Sequence, residues 1–218
     1  MMTLKINGPI VSNDDKWIYE IFDIEAFSPR DLNNYLDNIR SGEEIDIEIN
    51  SPGGYVIAGS EIYTALMQHK GPVNILITGV AASMASVIAM AGTTVTISPT
   101  AQIMIHNVST YGSGDYRDFA NISETLKKLN KSIMNAYQIK TGKSEKEILE
   151  LMDKETWMEA NEAKNQGFVD KILQKEYQLE MVASYGDDFL IDKNIIKSFK
   201  KERELLNLLE LKGDVKWI

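Results

Sequence analysis

The chain of 218 residues has no cysteine and two histidines, His69 and His106. Covalent chemistry therefore falls to Ser, Thr or Lys, and a general base of the imidazole type has two candidates. One serine is singled out by its position. In the run Val73 to Gly92, VNILITGVAASMASVIAMAG, β-branched residues lead through Gly79 into small helix-forming ones, so Ser83 and Met84 fall where a buried strand enters a helix. There the first backbone N–H groups lack intrahelical acceptors and the helix dipole favours negative charge, such as a tetrahedral oxyanion carries. Serine is also a good helix N-cap, and the G-x-S-x-G pattern of lipase-like hydrolases is absent because Ala81 and Ala85 flank Ser83. The serine needs partners before it reads as a nucleophile.

The short apolar run Gln102 to Val108 leads straight to His106, whereas His69 lies between Gln68 and Lys70 at the polar end of a helix, where it complements the dipole. His106 is the better base. Ile45, Ile47 and Ile49 alternate with Asp46 and Glu48 as a strand that runs into Asn50-Ser51-Pro52-Gly53-Gly54. Paired glycines at a strand end make a tight turn, and they also let a backbone N–H come close to a substrate oxygen. Gly54 and Ser83 follow consecutive parallel strands at the same sheet edge, which is where open α/β sheets place their sites. A hydroxyl, an imidazole and two N–H donors are the components of acyl transfer by serine.

The elements that must hold these residues read as repeated strand–helix units with a parallel sheet. LKINGPIV and WIYEIF, separated by Ser12-Asn13-Asp14-Asp15, predict an edge hairpin or paired strands. Ser28-Pro29-Arg30-Asp31 opens a helix with Leu32, Tyr35, Leu36 and Ile39 on one face. A second helix runs to about Lys70 with Ile57, Ile62, Ala65 and Leu66 inward, and Thr94 to Ser98 supplies a further strand. From Tyr116 to Thr141 the pattern predicts one long helix closed by Gly142, with Phe119, Ile122, Leu126, Leu129, Ile133 and Ala136 as a stripe, long enough to project from the core. Ser144 to Glu147 has the form of a capping box for a short helix to Met152. Asp153, Lys154 and Glu155 read as turn residues, Ala160 to Ala163 starts another helix ended by Gly167, and Phe168 to Ile172 looks like a return strand. Residues 1–173 form one domain, and 174–218 an extension with a polar stretch at 186–193 and an amphipathic helix at 194–211 carrying Ile195, Ile196, Phe199, Leu205, Leu206, Leu208 and Leu209.

Composition narrows the classes. With 23 Lys and Arg against 32 Asp and Glu, a net charge of −9 disfavours a nucleic-acid groove. The lack of cysteine suits a reducing cytosol, and two histidines exclude a multi-histidine metal centre. No apolar run reaches the ~18 residues of a membrane span, so a soluble cytoplasmic protein without cofactor or metal is expected.

Taken together, Ile49-Asn50-Ser51-Pro52-Gly53-Gly54 with Ala58-Gly59, Ala81-Ala82-Ser83-Met84-Ala85, and Met104-Ile105-His106 resemble the glycine-loop, nucleophile and histidine motifs of the Clp protease proteolytic-subunit family, within the crotonase-like fold. Trp157-Met158, Ala160, Glu162-Ala163 and Gly167-Phe168-Val169-Asp170 are similar to the segment after that family's catalytic acid. The resemblance implies an α/β fold of repeated ββα units with a parallel sheet and a protruding long helix, and a serine endopeptidase acting through an acyl-enzyme. It implies Ser83 as nucleophile, His106 as base, and the N–H groups of Gly54 and Met84 as oxyanion hole. The register places Glu155 where the family has aspartate, with Asp153 as the alternative. An extended peptide substrate would pair with backbone near Val56 and Val108.

The same resemblance implies homo-oligomeric rings of seven subunits, single or stacked into fourteen, joined through the long helix, and a separate AAA+ unfoldase as partner. No G-x-x-x-x-G-K-[ST] loop occurs in this chain. The acid at 155, the divergent first forty residues and the C-terminal extension are more similar to bacteriophage head-maturation proteases, which implies capsid or scaffold proteins as partners and a procapsid in the host cytoplasm as the place of action. Two rival readings remain open: a non-catalytic assembly protein retaining the fold, and a crotonase-type acyl-CoA enzyme using the paired N–H groups for an enolate.

Overall fold

The computed structural model describes residues 3–174 and 193–211. The chain divides into two units, Met1–Lys175 and Glu176–Ile218. The first is built on a parallel sheet in the order β1 (Leu4–Asn7), β2 (Ile45–Ser51), β3 (Val73–Ala82), β4 (Thr94–Ile97) and β7 (Lys171–Ile172), with β5 (Gln102–Ile105) and β6 (Thr156–Glu159) branching from it. Its helices are α1 (Lys16–Ile21), α2 (Pro29–Asp37), α3 (Val56–Gln68), α4 (Met84–Ala89), α5 (Tyr116–Thr141), α6 (Glu145–Asp153) and α7 (Ala160–Asn165).

The pairing of β3 decides where the chemistry falls. Its first half, Asn74 to Ile77, pairs with β4, whereas Val80 to Ala82 pairs with β5. A single ten-residue strand thus hands over from one neighbour to the next, and its C-terminal end emerges beside the end of β5. Ile45, Ile47 and Ile49 on β2 and Val73, Ile75 and Ile77 on β3 are buried, while the residues between them are not. This alternation is the period of a sheet with one face on the core. β6 runs antiparallel to β5, with Ile105 opposite Thr156.

Local signals set most boundaries. Asp31 accepts from both the amide and the hydroxyl of Ser28 at 2.8 Å, closing the start of α2. Asp115 accepts from Arg117 N and Asp118 N, and Gly142 at φ 71 ends α5 in the left-handed conformation. Ser144 and Glu147 make the expected reciprocal cap of α6. Along α5, Ile133, Met134, Ala136 and Tyr137 are buried, but no residue from 116 to 132 is. The first two-thirds of this helix stand clear of the unit's core, with Phe119 52 % exposed.

Two expectations need correcting, and one strand is new. WIYEIF is not a strand: Ser12 and Asp15 hydrogen-bond to each other, and the chain turns into the short helix α1. The sheet edge here is β1, paired in parallel with β2, and Trp17, Ile21 and Phe22 are left exposed instead of lying in a hairpin. Ile57 points outward, because the buried face of α3 is Ala58, Gly59, Ile62 and Leu66, and Ile57 precedes that face by one residue. Thr156 to Glu159 form a strand, since the open edge of β5 supplies a hydrogen-bonding partner.

In the second unit, α8 spans Lys193–Leu211 with Phe199 and Leu205 exposed. The side chains of Ile195, Ile196, Leu206, Leu208 and Leu209, and residues 186–192 of the polar stretch, lie outside the described residues. Among the described residues no helix is long and apolar enough to cross a membrane.

Ile77 is fully buried where β3 changes neighbours. Ile77→Ala is expected to lower stability by about 2–5 kcal/mol, read as a shift in the urea unfolding midpoint at unchanged slope.

Candidate active site

Ser83 follows the last residue of β3 and precedes α4 with φ 54 and ψ −125. An L residue seldom adopts positive φ, and such strain concentrates where structure serves a site. The turn is tied to β5 by the hydrogen bond that Ser83 N donates to Met104 O, 2.9 Å. Two residues beyond Met104, His106 leaves the end of β5 half-buried, with Nε2 2.8 Å from Ser83 Oγ. The handover of β3 from β4 to β5 is what makes this meeting of serine and imidazole geometrically available.

The glycine turn approaches from the other side. Gly53 has φ 91, and a Cβ built on it would lie 2.5 Å from Ala82 O, 2.7 Å from Ser83 Cβ and 2.8 Å from Met84 N. Only a residue without a side chain fits there. Ser51, fully buried, holds the turn by accepting from Gly53 N at 3.1 Å. Gly54 bridges to Ile10: Ile10 N donates to Gly53 O, and Tyr55 N donates to Ile10 O. In such a bridge the residue's own N–H points to the opposite side, so the exposed Gly54 turns its amide away from Ile10. Met84 N is the first amide of α4, a position without an intrahelical acceptor.

The acids are placed differently. Extending the β5–β6 register by one residue sets His106 opposite Glu155, which has φ 49 at the α6–β6 junction and an exposed side chain. Among the described residues neither Glu155 nor Asp153 makes a hydrogen bond or ion pair with His106. Asp153 Oδ1 instead accepts from Asn107 Nδ2 at 2.8 Å. Asn107 Oδ1 accepts from Asn130 Nδ2 at 2.9 Å, and Asn130 Oδ1 accepts from Val108 N at 2.7 Å. This amide network, missed in the sequence, clamps the segment after His106 to α5 and α6. A polar residue on the inner stripe of a long helix was the available signal. Near the backbone expected to receive a peptide, Val108 N donates to Asn130 Oδ1 and Val56 is the first residue of α3. His69 is remote in role: its Nε2 bonds Glu43 O at 2.7 Å.

A serine on a strained strand–helix turn, hydrogen-bonded to an imidazole and facing a glycine loop, defines the class of serine acyl hydrolases. A family model described as Clp protease matches residues 32–176. An ATP-dependent Clp protease proteolytic subunit from Bacteroides fragilis is 36% identical over 144 residues, covering 65% of this chain and 70% of that one. The proteolytic subunit 1 from Chlamydia abortus is 36% identical over 143 residues (64% and 74% of the two chains), and the subunit from Porphyromonas gingivalis is 35% identical over 143 (65% and 64%). The chain belongs to the Clp protease family, whose members are serine-type peptidases.

Gly53→Ala would drive a methyl into the Ser83–Met84 backbone. Since loss of a single oxyanion donor costs about 10²–10³ in kcat, we expect labelling of this variant by a serine-reactive fluorophosphonate to slow by about a hundredfold, measured by mass spectrometry against time.

Proposed function

We propose that the protein is a Clp-type serine endopeptidase in which Ser83 is the nucleophile and His106 its general base. The N–H groups of Gly54 and Met84 form the oxyanion hole, and Glu155 orients the imidazole. The observation that carries this reading is the 2.8 Å contact between Ser83 Oγ and His106 Nε2 on a turn that Gly53 closes. Oγ attacks the peptide carbonyl carbon as its proton passes to Nε2, and the carbonyl oxygen becomes an anion held by the two amides. Collapse of this intermediate breaks the C–N bond, Nε2 protonates the leaving amine, and an ester on Ser83 remains. Water, deprotonated by the same imidazole, attacks the ester and releases the acid.

The β5–β6 register supports Glu155 as the orienting acid, since its extension by one residue sets Glu155 opposite His106. Asp153 is the weaker choice, because its carboxylate is taken by Asn107. The substrate in this reading is an extended polypeptide running past Val56 and Val108, using the carbonyl of Val108 because its amide is engaged. By family, the working form is a ring of subunits associated through α5 and served by a separate unfoldase. The finer reading, a branch of the head-maturation type acting on capsid or scaffold protein, is drawn from the acid at 155, the first forty residues and the C-terminal extension. A non-catalytic assembly role has one observation in its favour: among the described residues no carboxylate hydrogen-bonds to His106.

Intact-mass spectrometry after fluorophosphonate treatment, on material of known oligomeric state, tests the reading. One adduct on the wild type, absent from Ser83→Ala and slow on His106→Ala and Glu155→Ala, is the expected result. An assembled protein that takes no adduct, with peptide cleavage equal to that of Ser83→Ala, would establish the assembly role. Full activity in Glu155→Ala with loss in Asp153→Ala would transfer the acid. Leu126→Asp with Leu129→Asp, on the projecting part of α5, is expected to abolish the oligomer and the activity together, measured by light scattering and peptide hydrolysis; a fully active monomer would refute the coupling.

A further inference from the structure

The strained backbone of Ser83 persists only if its surroundings over-determine it, and they do so at its carbonyl. Ser86 N and Val87 N donate to Ser83 O at 3.0 and 3.3 Å. The Ser86 hydroxyl donates to the same oxygen at 2.6 Å. That bond uses the only proton of the hydroxyl, so in the 2.7 Å contact between Ser86 Oγ and Tyr137 Oη it is Tyr137 that donates. Both residues are fully buried. Burial pushes the Tyr137 phenol well above its ordinary value, so the donor stays protonated, and the ring is fixed edge-on against Phe168 with centroids 5.8 Å apart. The mechanism as described uses neither side chain, yet a buried polar pair costs stability unless its geometry is satisfied.

What the pair holds is a peptide plane. The unit joining Ser83 to Met84 is planar and trans, so its C=O and N–H point in opposite directions and turn together. A donor that fixes Ser83 O therefore fixes the aim of Met84 N–H on the other side. We propose that Ser86 and Tyr137 are positioning residues for the oxyanion hole: the chain Tyr137 Oη–H to Ser86 Oγ–H to Ser83 C=O holds the Ser83–Met84 peptide with its N–H facing the reacting oxygen. The inference rests on Ser83 as nucleophile and Met84 N as oxyanion donor. The hydrogen bond accepted at the carbonyl also polarises the peptide and strengthens its N–H as a donor. Because Tyr137 belongs to the buried end of α5, the aim of the amide is referred to that helix.

Without the chain, Ser86 N and Val87 N still hold the carbonyl, so the plane loosens and does not flip. The loss is then smaller than that for a deleted donor, about tenfold in kcat, and it spares KM because the donor acts on charge present only in the transition state. The test compares wild type, Tyr137→Phe, Ser86→Ala, the double variant and Ser83→Ala. It measures kcat and KM for a peptide, inhibition by a peptide boronate whose tetrahedral adduct places an oxygen in the hole, affinity for the cleaved product peptide, and melting temperature. Tyr137→Phe and Ser86→Ala are expected to lose kcat and boronate affinity in parallel, by about tenfold, with KM and product affinity within about twofold. The double variant leaves no buried hydroxyl unpaired; it should match Ser86→Ala, and it replaces that variant if the latter fails to fold. Unchanged kcat and boronate affinity would overturn the proposal, and so would losses that fall equally on KM and product affinity and track the melting temperature. Wild type indistinguishable from Ser83→Ala would instead overturn the catalytic reading beneath it.

Discussion

The hydrogen bond from Ser83 N to Met104 O is the joint on which the rest of the site turns. It exists because β3 outlasts its pairing with β4 and takes β5 as a new neighbour at Val80. A shorter β3 would leave Ser83 at the sheet edge without an imidazole. A one-residue slip in the β3–β5 register would turn the side chains of β5 to the opposite face, as any such slip must. Ala81 and Ala82 are buried opposite Ile103 and Met104, so the packing at this end of β3 is also what brings Oγ to Nε2.

The site is assembled from backbone as much as from side chains. Gly53 lies where even a methyl would strike Ala82, Ser83 and Met84, and Ser51 and Ile10 pin the glycine turn from behind. On the other flank the amides of Asn107 and Asn130 and the carboxylate of Asp153 lock the chain that follows His106. The carboxylate proposed for the imidazole is the exception. Glu155 sits at a positive-φ corner with its side chain in solvent, so the serine–histidine contact is made while the acid is not.

How legible this was in the sequence depended on the range of the forces involved. The ends of α5 and the caps of α2 and α6 are set within four or five residues by Asp115, Gly142, Ser28 and Ser144, and the pattern showed them. Ser83, His106 and Gly54 stood out by type at strand ends that share one sheet edge, and the contact of Ser83 with His106 is what the fold adds. Where a distant partner decides, local pattern misled or was silent: WIYEIF has strand-like composition but finds no sheet edge, and Thr156 to Glu159 carry no strand signal of their own until β5 pairs with them. Ile57 was read inward from its type, although its place on the helix put it outside. Ser86 with Tyr137, and Asn107 with Asn130, are separated by 51 and 23 residues. No spacing rule connects them.

The projecting part of α5 is held by means that need no neighbour: a reciprocal cap at Asp115, the Glu124–Lys127 pair and a glycine stop at its far end. Its backbone has therefore already given up its freedom before anything docks along Phe119, Ile122 and Leu126. For a surface that meets it, association carries little ordering entropy of the helix itself. A surface docking along it can then reach a given affinity with less buried area than a helix that must first be ordered.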